Sequence, residues 1–240
     1  MISPSTATAL AAASTATIQS QLFGRGLRNT YLYGVRPLDP AHALFVAEAF
    51  TLRYIPARED LDLPGVFHDP AHPQRAAIEQ VGPGQVLVID SRGDPRAASV
   101  GHILATRMLR RGAAGLVTDG SVRDSPAIRT MGFPVFSAGV SASTNLVLHH
   151  AVDFQVPIGC AGVPVYPGDV IAADGEGVVV IPRHLADEIA EPAAAQERLE
   201  DFIQQKVDGG ASLPGTYPPG PELLAEYAQW PGSSPGEEEG

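Results

Sequence analysis

Two short segments carry the residues best suited to chemistry: GHILAT at 101–106 and DGSVRD at 119–124. Arg123 offers a fixed fork of N–H donors that suits carboxylates. The adjacent Asp124 offers carboxylate oxygens, the ligands that Mg²⁺ and Mn²⁺ favour. Gly101 places bare backbone beside the first N–H groups of a predicted helix, where an anion is stabilised. Together the two segments predict a site that holds a small anion and a hard metal ion.

An alternation of strands and helices must position these segments. The apolar runs QVLVID at 85–90 and GLVT at 115–118 predict two buried strands. Between them, residues 101–111 predict a helix that ends at Gly112. Further predicted elements are helices at 14–23, 76–81 and 185–208, a helix or turn at 125–130, strands at 47–54, 134–137, 145–152, 156–159 and 163–165, and a hairpin of 170–172 with 178–181. A β-α-β unit followed by hairpins predicts a mixed α/β fold.

The predicted domain covers residues 15–208. Residues 1–14 are rich in Ala, Ser and Thr and are expected to form a flexible lead-in. Residues 209–240 form a Pro/Gly-rich C-terminal extension. Within it, 222–230 predicts a short helix docked on the body of the protein or on a neighbouring subunit. About the last ten residues are predicted to be disordered.

Composition excludes several classes of protein. The formal net charge of −11 argues against direct nucleic-acid binding, which needs a basic surface. The single cysteine, Cys160, excludes an intramolecular disulfide and a cysteine-rich zinc site; it is predicted to be a small buried residue. Neither a membrane-spanning run of about 20 apolar residues nor a secretory signal is recognisable. We therefore expect a cytoplasmic protein without membrane contact.

The adjacent pair His149–His150 is predicted to be structural. His149 and His150 are neighbours on a predicted strand, so their side chains point to opposite faces and do not easily chelate together. His68 and His72 have i, i+4 spacing, but Pro70 breaks a helix between them. No metal site is predicted at either pair.

Other charged residues near the two segments have competing interpretations. Turn capping explains Asp119 about as well as catalysis does. Asp90 and Arg92 end a predicted strand, where loop ordering is favoured over substrate contact. Arg107 is expected to face solvent or an interface.

Two longer blocks carry a family resemblance: VGHILATRMLRRGAAGLVTDGSVRDSPAI at 100–128 and PIGCAGVPVYPGDVIAADGEGVVVIP at 157–182. With weaker matches at 15–22 and 47–54, the chain resembles the RraA-like family over about residues 15–205. That family contains the 4-hydroxy-4-methyl-2-oxoglutarate/4-carboxy-4-hydroxy-2-oxoadipate aldolases and the ribonuclease regulator RraA. The resemblance implies a β/β/α sandwich with a mixed sheet and flanking helices, assembled as a homotrimer or homohexamer.

The resemblance also implies roles for single residues. Arg123 would contact a 2-oxo acid and stabilise the pyruvate enolate. Asp124 would help to hold the metal, Mg²⁺ or Mn²⁺. The backbone N–H groups of Ile103 and Leu104, after Gly101, would bind the pyruvate carboxylate. Retro-aldol cleavage and oxaloacetate decarboxylation both leave an enolate, which a cation and an arginine stabilise.

His102 departs from the pattern, because aldolases of the family carry Asp or Glu at this position. There the carboxylate orders or deprotonates a metal-bound water. Histidine can act as a base near neutral pH, and it can also ligate a metal and favour softer ions. The third interpretation is that His102 marks a member without the family's aldolase chemistry.

Three functions follow as hypotheses. The leading one is a divalent-metal-dependent carbon–carbon lyase, an aldolase or decarboxylase, in which His102 and Arg123 act on a small 2-oxo acid. The second is a non-catalytic RraA-type regulator with a ribonuclease partner. The third is a pathway-specific decarboxylase or dehydratase that uses His102 in a changed reaction.

Overall fold

The computed structural model describes residues 1–233, which form a sheet with helices packed around it. The helices are α1 (Pro4–Ala11), α2 (Thr15–Gly24), α3 (Pro73–Gln80), α4 (His102–Arg110), α5 (Ser125–Arg129), α6 (Ala186–Asp208) and α7 (Pro221–Tyr227). The strands are β1 (Arg36–Pro37), β2 (Phe45–Pro56), β3 (Gln85–Asp90), β4 (Ala98–Val100), β5 (Gly115–Val122), β6 (Val135–Val140), β7 (His149–Phe154), β8 (Ile158–Cys160), β9 (Val163–Val165), β10 (Val170–Ala173) and β11 (Val178–Ile181). Short 3₁₀ turns include Pro64–His68 and Asn145–Val147.

The main sheet is mixed, which confirms the predicted α/β class. Its order is β1-β6-β5-β3-β2-β10-β11, with β4 beside β5 and β7 beside β2, while β8 and β9 form a separate pair. The neighbours β2–β3, β3–β5 and β5–β6 run parallel. Strand β10 pairs antiparallel with both β2 and β11. Parallel strands are covered on both faces, which is why 85–90 and 115–118 are continuous apolar runs.

Alternate residues of the central strands fill two cores. Leu87 and Ile89 of β3 lie in the core beneath α3 and α4, together with Met108. Val86 and Val88 of the same strand lie in the opposite core. The period of two places successive side chains on opposite faces of the sheet.

Helix α4 follows from its own apolar pattern. Ala105 and Met108 are buried, and Leu104 packs on the same core. Gly112 takes a positive φ of 80°, a backbone conformation that glycine adopts without strain, just after the helix ends. The predicted helix at 101–111 is therefore confirmed, with its start fixed at Gly101.

The expected flexible lead-in at 1–14 is wrong, because Pro4–Ala11 forms helix α1. Ser3 caps that helix by accepting a hydrogen bond from the Thr6 N–H at 3.0 Å. The Thr6 hydroxyl donates to Asp187 of α6 at 2.7 Å, and Leu10 is buried. Contacts with a helix distant in sequence thus order a segment of small residues.

The single strand predicted at 145–152 is also wrong in its first half. Residues Asn145–Val147 form a 3₁₀ turn, and the strand begins only at His149. The Val147 N–H donates to the Thr144 carbonyl at 3.2 Å, so the chain reverses before β7.

The C-terminal extension begins with an ordered part. Helix α7 packs on α6 through Phe202, Tyr227 and Trp230, whose rings lie 5.5–6.1 Å apart between centroids. A docked helix was predicted here. The disorder predicted for about the last ten residues concerns mainly 234–240, which lie outside the described residues. Across 1–233, every helix falls short of the length and apolarity needed to traverse a bilayer.

Candidate active site

Two parallel strands bring the chemically interesting segments together. Strand β4 pairs with β5, with Ala98 opposite Ser121 and Val100 opposite Val122. The carboxyl ends of parallel strands meet at one edge of a sheet, where α/β proteins commonly bind ligands. Gly101 follows β4 and Arg123 follows β5, and the Arg123 N–H donates to the Val100 carbonyl at 3.0 Å. Segments about 20 residues apart in sequence therefore become neighbours.

A side chain at Gly101 would press against Asp124 and Arg123. A Cβ atom placed on it would lie 2.8 Å from Asp124 Oδ2 and 3.0 Å from Arg123 Nε. Asp124 itself takes the left-handed conformation, with φ of 58° and ψ of 32°, and starts α5. Aspartate tolerates this conformation better than most residues. The sharp bend at Asp124 brings its carboxylate against the start of α4.

The Asp124 carboxylate accepts two hydrogen bonds from His102. The His102 backbone N–H lies 3.2 Å from Asp124 Oδ2, and His102 Nδ1 lies 3.0 Å from the same oxygen. The imidazole hydrogen bond, helped by the backbone N–H and the Arg123 charge, lowers the pKa of Asp124 below its ordinary value. An ionised carboxylate only accepts hydrogen bonds, so Nδ1 carries a proton and Nε2 of a neutral His102 is left as the basic nitrogen.

Arg123 and the start of α4 present unused donors. Arg123 Nε lies 3.7 Å from Asp124 Oδ2, and within residues 1–233 its guanidinium donates no hydrogen bond to the protein. Gly101 has no side chain to cap α4, so the N–H groups of Ile103 and Leu104 lack acceptors in the described part of the chain. These donors together favour an anion.

All six residues predicted for the site line one cavity of about 360 Å³: Gly101, His102, Ile103, Leu104, Arg123 and Asp124. A second cavity, between Arg123, Asp124 and the end of β6, lies along the same pair. The structure therefore brings together every residue that the sequence placed in the site.

Besides the three residues of β4, five lining residues were missed by sequence reasoning: Phe67, Gln74, Arg75, Thr144 and Asn145. They lie on α3 and on two 3₁₀ segments, distant in sequence from the α4 start. One local signal was available for Gln74. It lies four residues before the buried Ile78 on α3, and a polar residue on the apolar face of a helix is unusual.

The other acidic and basic candidates order loops away from the cavity. Asp119 is buried and accepts the N–H groups of Ser91, Gly93 and Ala161 at 2.6, 2.8 and 3.0 Å. Burial raises the pKa of Asp119 against the opposing effect of these three donors. The structure thus favours the structural interpretation of Asp119 over the catalytic one.

Asp90 and Arg92 have the loop-ordering role that was expected. Asp90 accepts the N–H groups of Arg92 at 2.8 Å and Gly159 at 3.2 Å. Arg92 donates to the Leu148 carbonyl at 2.9 Å. Arg107, expected to face solvent or an interface, forms an exposed ion pair with Glu79 at 2.6 Å.

Each histidine of the two pairs has its own surroundings in the structure. His149 is buried and stacks on Tyr54, whereas His150 binds Asp62 at 2.7 Å, so the neighbours point apart. His72 is buried against Phe67 at the start of α3, and His68 is exposed. Cys160 is fully buried, and burial raises the pKa of its thiol well above the usual range.

Among the cavity residues, Asp124 is the one best suited to bind a divalent metal ion. Residues 1–233 contain no group of three or more His, Cys, Asp or Glu side chains arranged to hold an ion. Mg²⁺, however, is commonly bound by one or two carboxylates, with water and substrate completing its shell. Asp124 is partly exposed, and both of its His102 contacts use Oδ2. The donor set therefore suits a water-rich Mg²⁺ or Mn²⁺ ion and not a caged one.

Comparison with known proteins gives the family. The family model described as RraA-like, Aldolase/RraA, matches residues 15–180. The chain belongs to the RraA-like family. The match contains both strands and the helix start that form the cavity edge.

Two relatives illustrate the range of this family. Protein DlpA of Legionella pneumophila is 31% identical over 76% of this chain, which spans only 28% of DlpA. A Halalkalibacterium halodurans protein named "Putative 4-hydroxy-4-methyl-2-oxoglutarate aldolase" is 36% identical over 55% of this chain and 62% of its own length. The chain thus covers less than two thirds of either relative.

A solved RraA-like structure confirms the sandwich expected from the sequence. Streptomyces coelicolor RraAS2, described as an unusual member of the RNase ES inhibitor RraA protein family, is 31% identical. The similarity covers 86% of this chain and all of RraAS2, with a TM-score of 0.78. The mixed sheet with flanking helices is therefore the RraA-like fold.

Proposed function

We propose that this protein is a divalent-metal-dependent carbon–carbon lyase, an aldolase or decarboxylase, that acts on a small 2-oxo acid. One observation carries the proposal: the Arg123 guanidinium, the Asp124 carboxylate and the free N–H groups of Ile103 and Leu104 line one cavity. Relatives whose names include 4-hydroxy-4-methyl-2-oxoglutarate aldolase support a lyase of this type.

Each residue would contribute a defined interaction. The N–H groups of Ile103 and Leu104 bind the carboxylate next to the 2-oxo group. Arg123 donates to the 2-oxo oxygen and stabilises the negative charge that develops there as the carbon–carbon bond breaks. Asp124 would hold Mg²⁺ or Mn²⁺, and the ion would supply further positive charge to stabilise the enolate.

His102 would move the proton. In a retro-aldol cleavage, Nε2 of His102 takes the proton of the 4-hydroxyl group while the C3–C4 bond breaks. The bonding electrons form the pyruvate enolate, and the proton returned to C3 yields pyruvate. The Asp124–His102 hydrogen bond supports this role, because it holds the ring with Nε2 unprotonated.

The test is pyruvate formation. We would incubate the protein with oxaloacetate and with a 4-hydroxy-2-oxo diacid, with Mg²⁺ or Mn²⁺ and with EDTA, between pH 6 and 9. Pyruvate that depends on the metal and is lost in Arg123→Gln supports the lyase. A rate equal to the protein-free control under every metal condition contradicts it.

The likeness to RraAS2 favours a second candidate, an RraA-type regulator that binds a ribonuclease. A net charge of −11 suits the masking of a basic partner surface. Co-purification with a ribonuclease and inhibition of that enzyme, without pyruvate formation, would favour this candidate. Dehydration or decarboxylation of another hydroxy acid through His102 is the third candidate, which loss of the activity in His102→Ala would support.

We also propose assembly as a homotrimer or homohexamer. Large apolar side chains beside the two cavities support this, because Ile103 is 70% exposed and Val140 is 58% exposed. Exposed apolar side chains that form a contiguous patch commonly mark a protein–protein interface. Light scattering coupled to gel filtration measures the assembled mass, and a mass near the chain's 25.1 kDa would contradict assembly.

A further inference from the structure

Residues 57–72 connect β2 to α3 and border the site cavity. Phe67 of this segment lines the cavity. Within 57–72, the one regular element is the short 3₁₀ turn Pro64–His68. A connection of this length inside a compact domain commonly has a function, and lids over active sites are one such function.

Few contacts hold this segment to the rest of the molecule. Within residues 1–233, two hydrogen bonds tie it to a distant part of the chain. The Ala57 N–H donates to the Leu148 carbonyl at 3.0 Å, and His150 Nδ1 lies 2.7 Å from Asp62 Oδ1. Its other hydrogen bonds are internal or reach the first turn of α3, such as the 2.7 Å bond from the Arg58 N–H to Asp62. A segment with so few ties opens at a lower free energy than a central strand does.

His72 packs at the end of the segment, next to the cavity wall. The residue is 9% exposed, and its Nδ1 atom is buried without a hydrogen-bond partner among the described residues. Its ring meets the Phe67 ring edge-on, with 5.3 Å between centroids. The Arg75 guanidinium lies 4.3 Å from the centre of the same Phe67 ring, and Arg75 also lines the cavity. His72 and Arg75 therefore both pack on the residue that forms the segment's part of the wall.

A proton on His72 is unfavourable while the segment is closed. Burial lowers the pKa of His72, and the charges of Arg75 on α3 and of a protonated His150 on β7 act in the same direction. Asp62 and Asp69, both in the segment itself, oppose this effect and are outweighed. Once the segment opens, His72 meets water, where imidazole takes up a proton near pH 6.5. The open form thus binds more protons, so the closed form loses stability as the pH falls below about 6.5.

We propose that the 57–72 segment is a lid over the site cavity that opens in mild acid, and that His72 takes up the proton that drives the opening. Opening would move Phe67 away from the cavity and expose the Arg75 guanidinium. The cavity would then be shielded at neutral pH and accessible in mild acid. This regulation goes beyond the proposed function, because the movement needs neither substrate nor turnover.

Hydrogen–deuterium exchange of the full chain tests the lid. Mass spectrometry of peptides that cover 57–72 follows the Asp62 and Val66 amides, whose N–H groups donate within the segment. Exchange rates at pH 7.5 and pH 5.5 are each divided by the intrinsic rate at that pH, which gives the open fraction. His72→Phe keeps a buried ring and removes the titrating group. His68→Phe is the matched control at an exposed histidine of the same segment.

The lid predicts a rise in the open fraction that depends on His72. In the unaltered protein it should grow by about 5- to 10-fold from pH 7.5 to pH 5.5, as expected for one histidine that stays neutral only when closed. His68→Phe should show the same rise, whereas His72→Phe should change by less than about twofold. Peptides from α6 should keep a constant corrected rate in all three proteins, which separates lid opening from global unfolding.

Two outcomes overturn the proposal. One is an equal open fraction at both pH values in the unaltered protein, and the other is a rise that persists in His72→Phe. If His72→Phe does not fold, imidazole NMR of the unaltered protein is the test: His72 should titrate below pH 6.5, and titration at the ordinary value contradicts the lid. Pyruvate formation plays no part in these measurements, so failure of the lyase and failure of the lid are distinguishable.

Discussion

His102 Nδ1 and Asp124 Oδ2 lie 3.0 Å apart, although 21 residues separate them in the chain. The same oxygen also accepts the His102 backbone N–H, so one aspartate fixes both the ring and the start of α4. The pair links a candidate base to a candidate metal ligand. The charge state of Asp124 is therefore coupled to its hydrogen bond with His102.

This coupling predicts a shifted titration of Asp124. The pKa of Asp124 is lowered in the folded protein. Its hydrogen bond with His102 therefore stabilises the fold at pH values above the ordinary pKa of 3.8, and this stabilisation is lost as the pH falls through the folded pKa. In His102→Ala, the pKa of Asp124 should rise toward 3.8, since the imidazole hydrogen bond is its largest cause. Carboxyl ¹³C NMR titration measures the change. His68→Ala, at an exposed site, should leave it unaltered, and an unchanged pKa in His102→Ala would refute the coupling.

A side chain at Gly101 should displace the groups of the site. Gly101→Ala places a Cβ against Asp124 Oδ2 and Arg123 Nε, so both groups must move. We expect kcat/KM for pyruvate formation to fall by about 10²-fold, the usual result of a displacement near 1 Å in a site. The matched control is Gly65→Ala, because no atom lies within 4 Å of a Cβ at Gly65. Full activity in Gly101→Ala would place the reacting groups elsewhere.

Arg123 should depend on the shape of its side chain as well as on its charge. Arg123→Gln should lower kcat/KM by about 10²- to 10³-fold, as the loss of one donor to a developing anion does. Arg123→Lys keeps the charge but loses the fork, and we expect an intermediate rate. Steady-state kinetics of the unaltered protein and of both Arg123 variants measures these effects, with Arg107→Gln as the exposed control. If Lys restores the full rate, a point charge is sufficient.

Asp119 should act on stability, not on chemistry. Asp119→Asn retains one acceptor oxygen for three backbone donors, so we expect the free energy of unfolding to drop by about 2–4 kcal/mol. Chemical denaturation measures this, with Asp201→Asn on the exposed face of α6 as the control. Loss of turnover at undiminished stability would instead return Asp119 to the list of catalytic candidates.

Cys160 should be unreactive in the folded protein. Its side chain is fully buried, and its raised pKa keeps it a thiol. A disulfide reagent at pH 8 should label no thiol in the native protein and one per chain in guanidinium chloride. Rapid labelling of the native protein would mean that the β8–β9 pair opens.

Local patterns predicted much of the fold. Helix α4 and strand β3 were predictable because each buries apolar residues that recur at a regular spacing within a short stretch of sequence. Helix α1 was missed, since its Ala, Ser and Thr residues have no such face and become ordered against α6. The strand predicted at 145–152 failed because a 3₁₀ turn precedes β7.

The site also contains residues that the sequence predicted and residues that it did not. Gly101, His102, Arg123 and Asp124 were predictable because their motif lies in two short segments. The left-handed bend at Asp124, which brings its carboxylate to His102, could not be predicted from residue spacing. Arg75 and Asn145 are 70 residues apart and meet the cavity only through tertiary packing, so their place in it needed the structure.

Two kinds of segment line the cavity, strand ends and short turns. Gly101 and Arg123 are fixed by paired strands, whereas Phe67 and Asn145 lie in short turns between regular elements. Connecting segments accept substitutions and length changes that strands do not. After gene duplication, changes in these turns alone could therefore alter the substrate specificity of one copy. Directed evolution of a new specificity could begin by randomising the same turns.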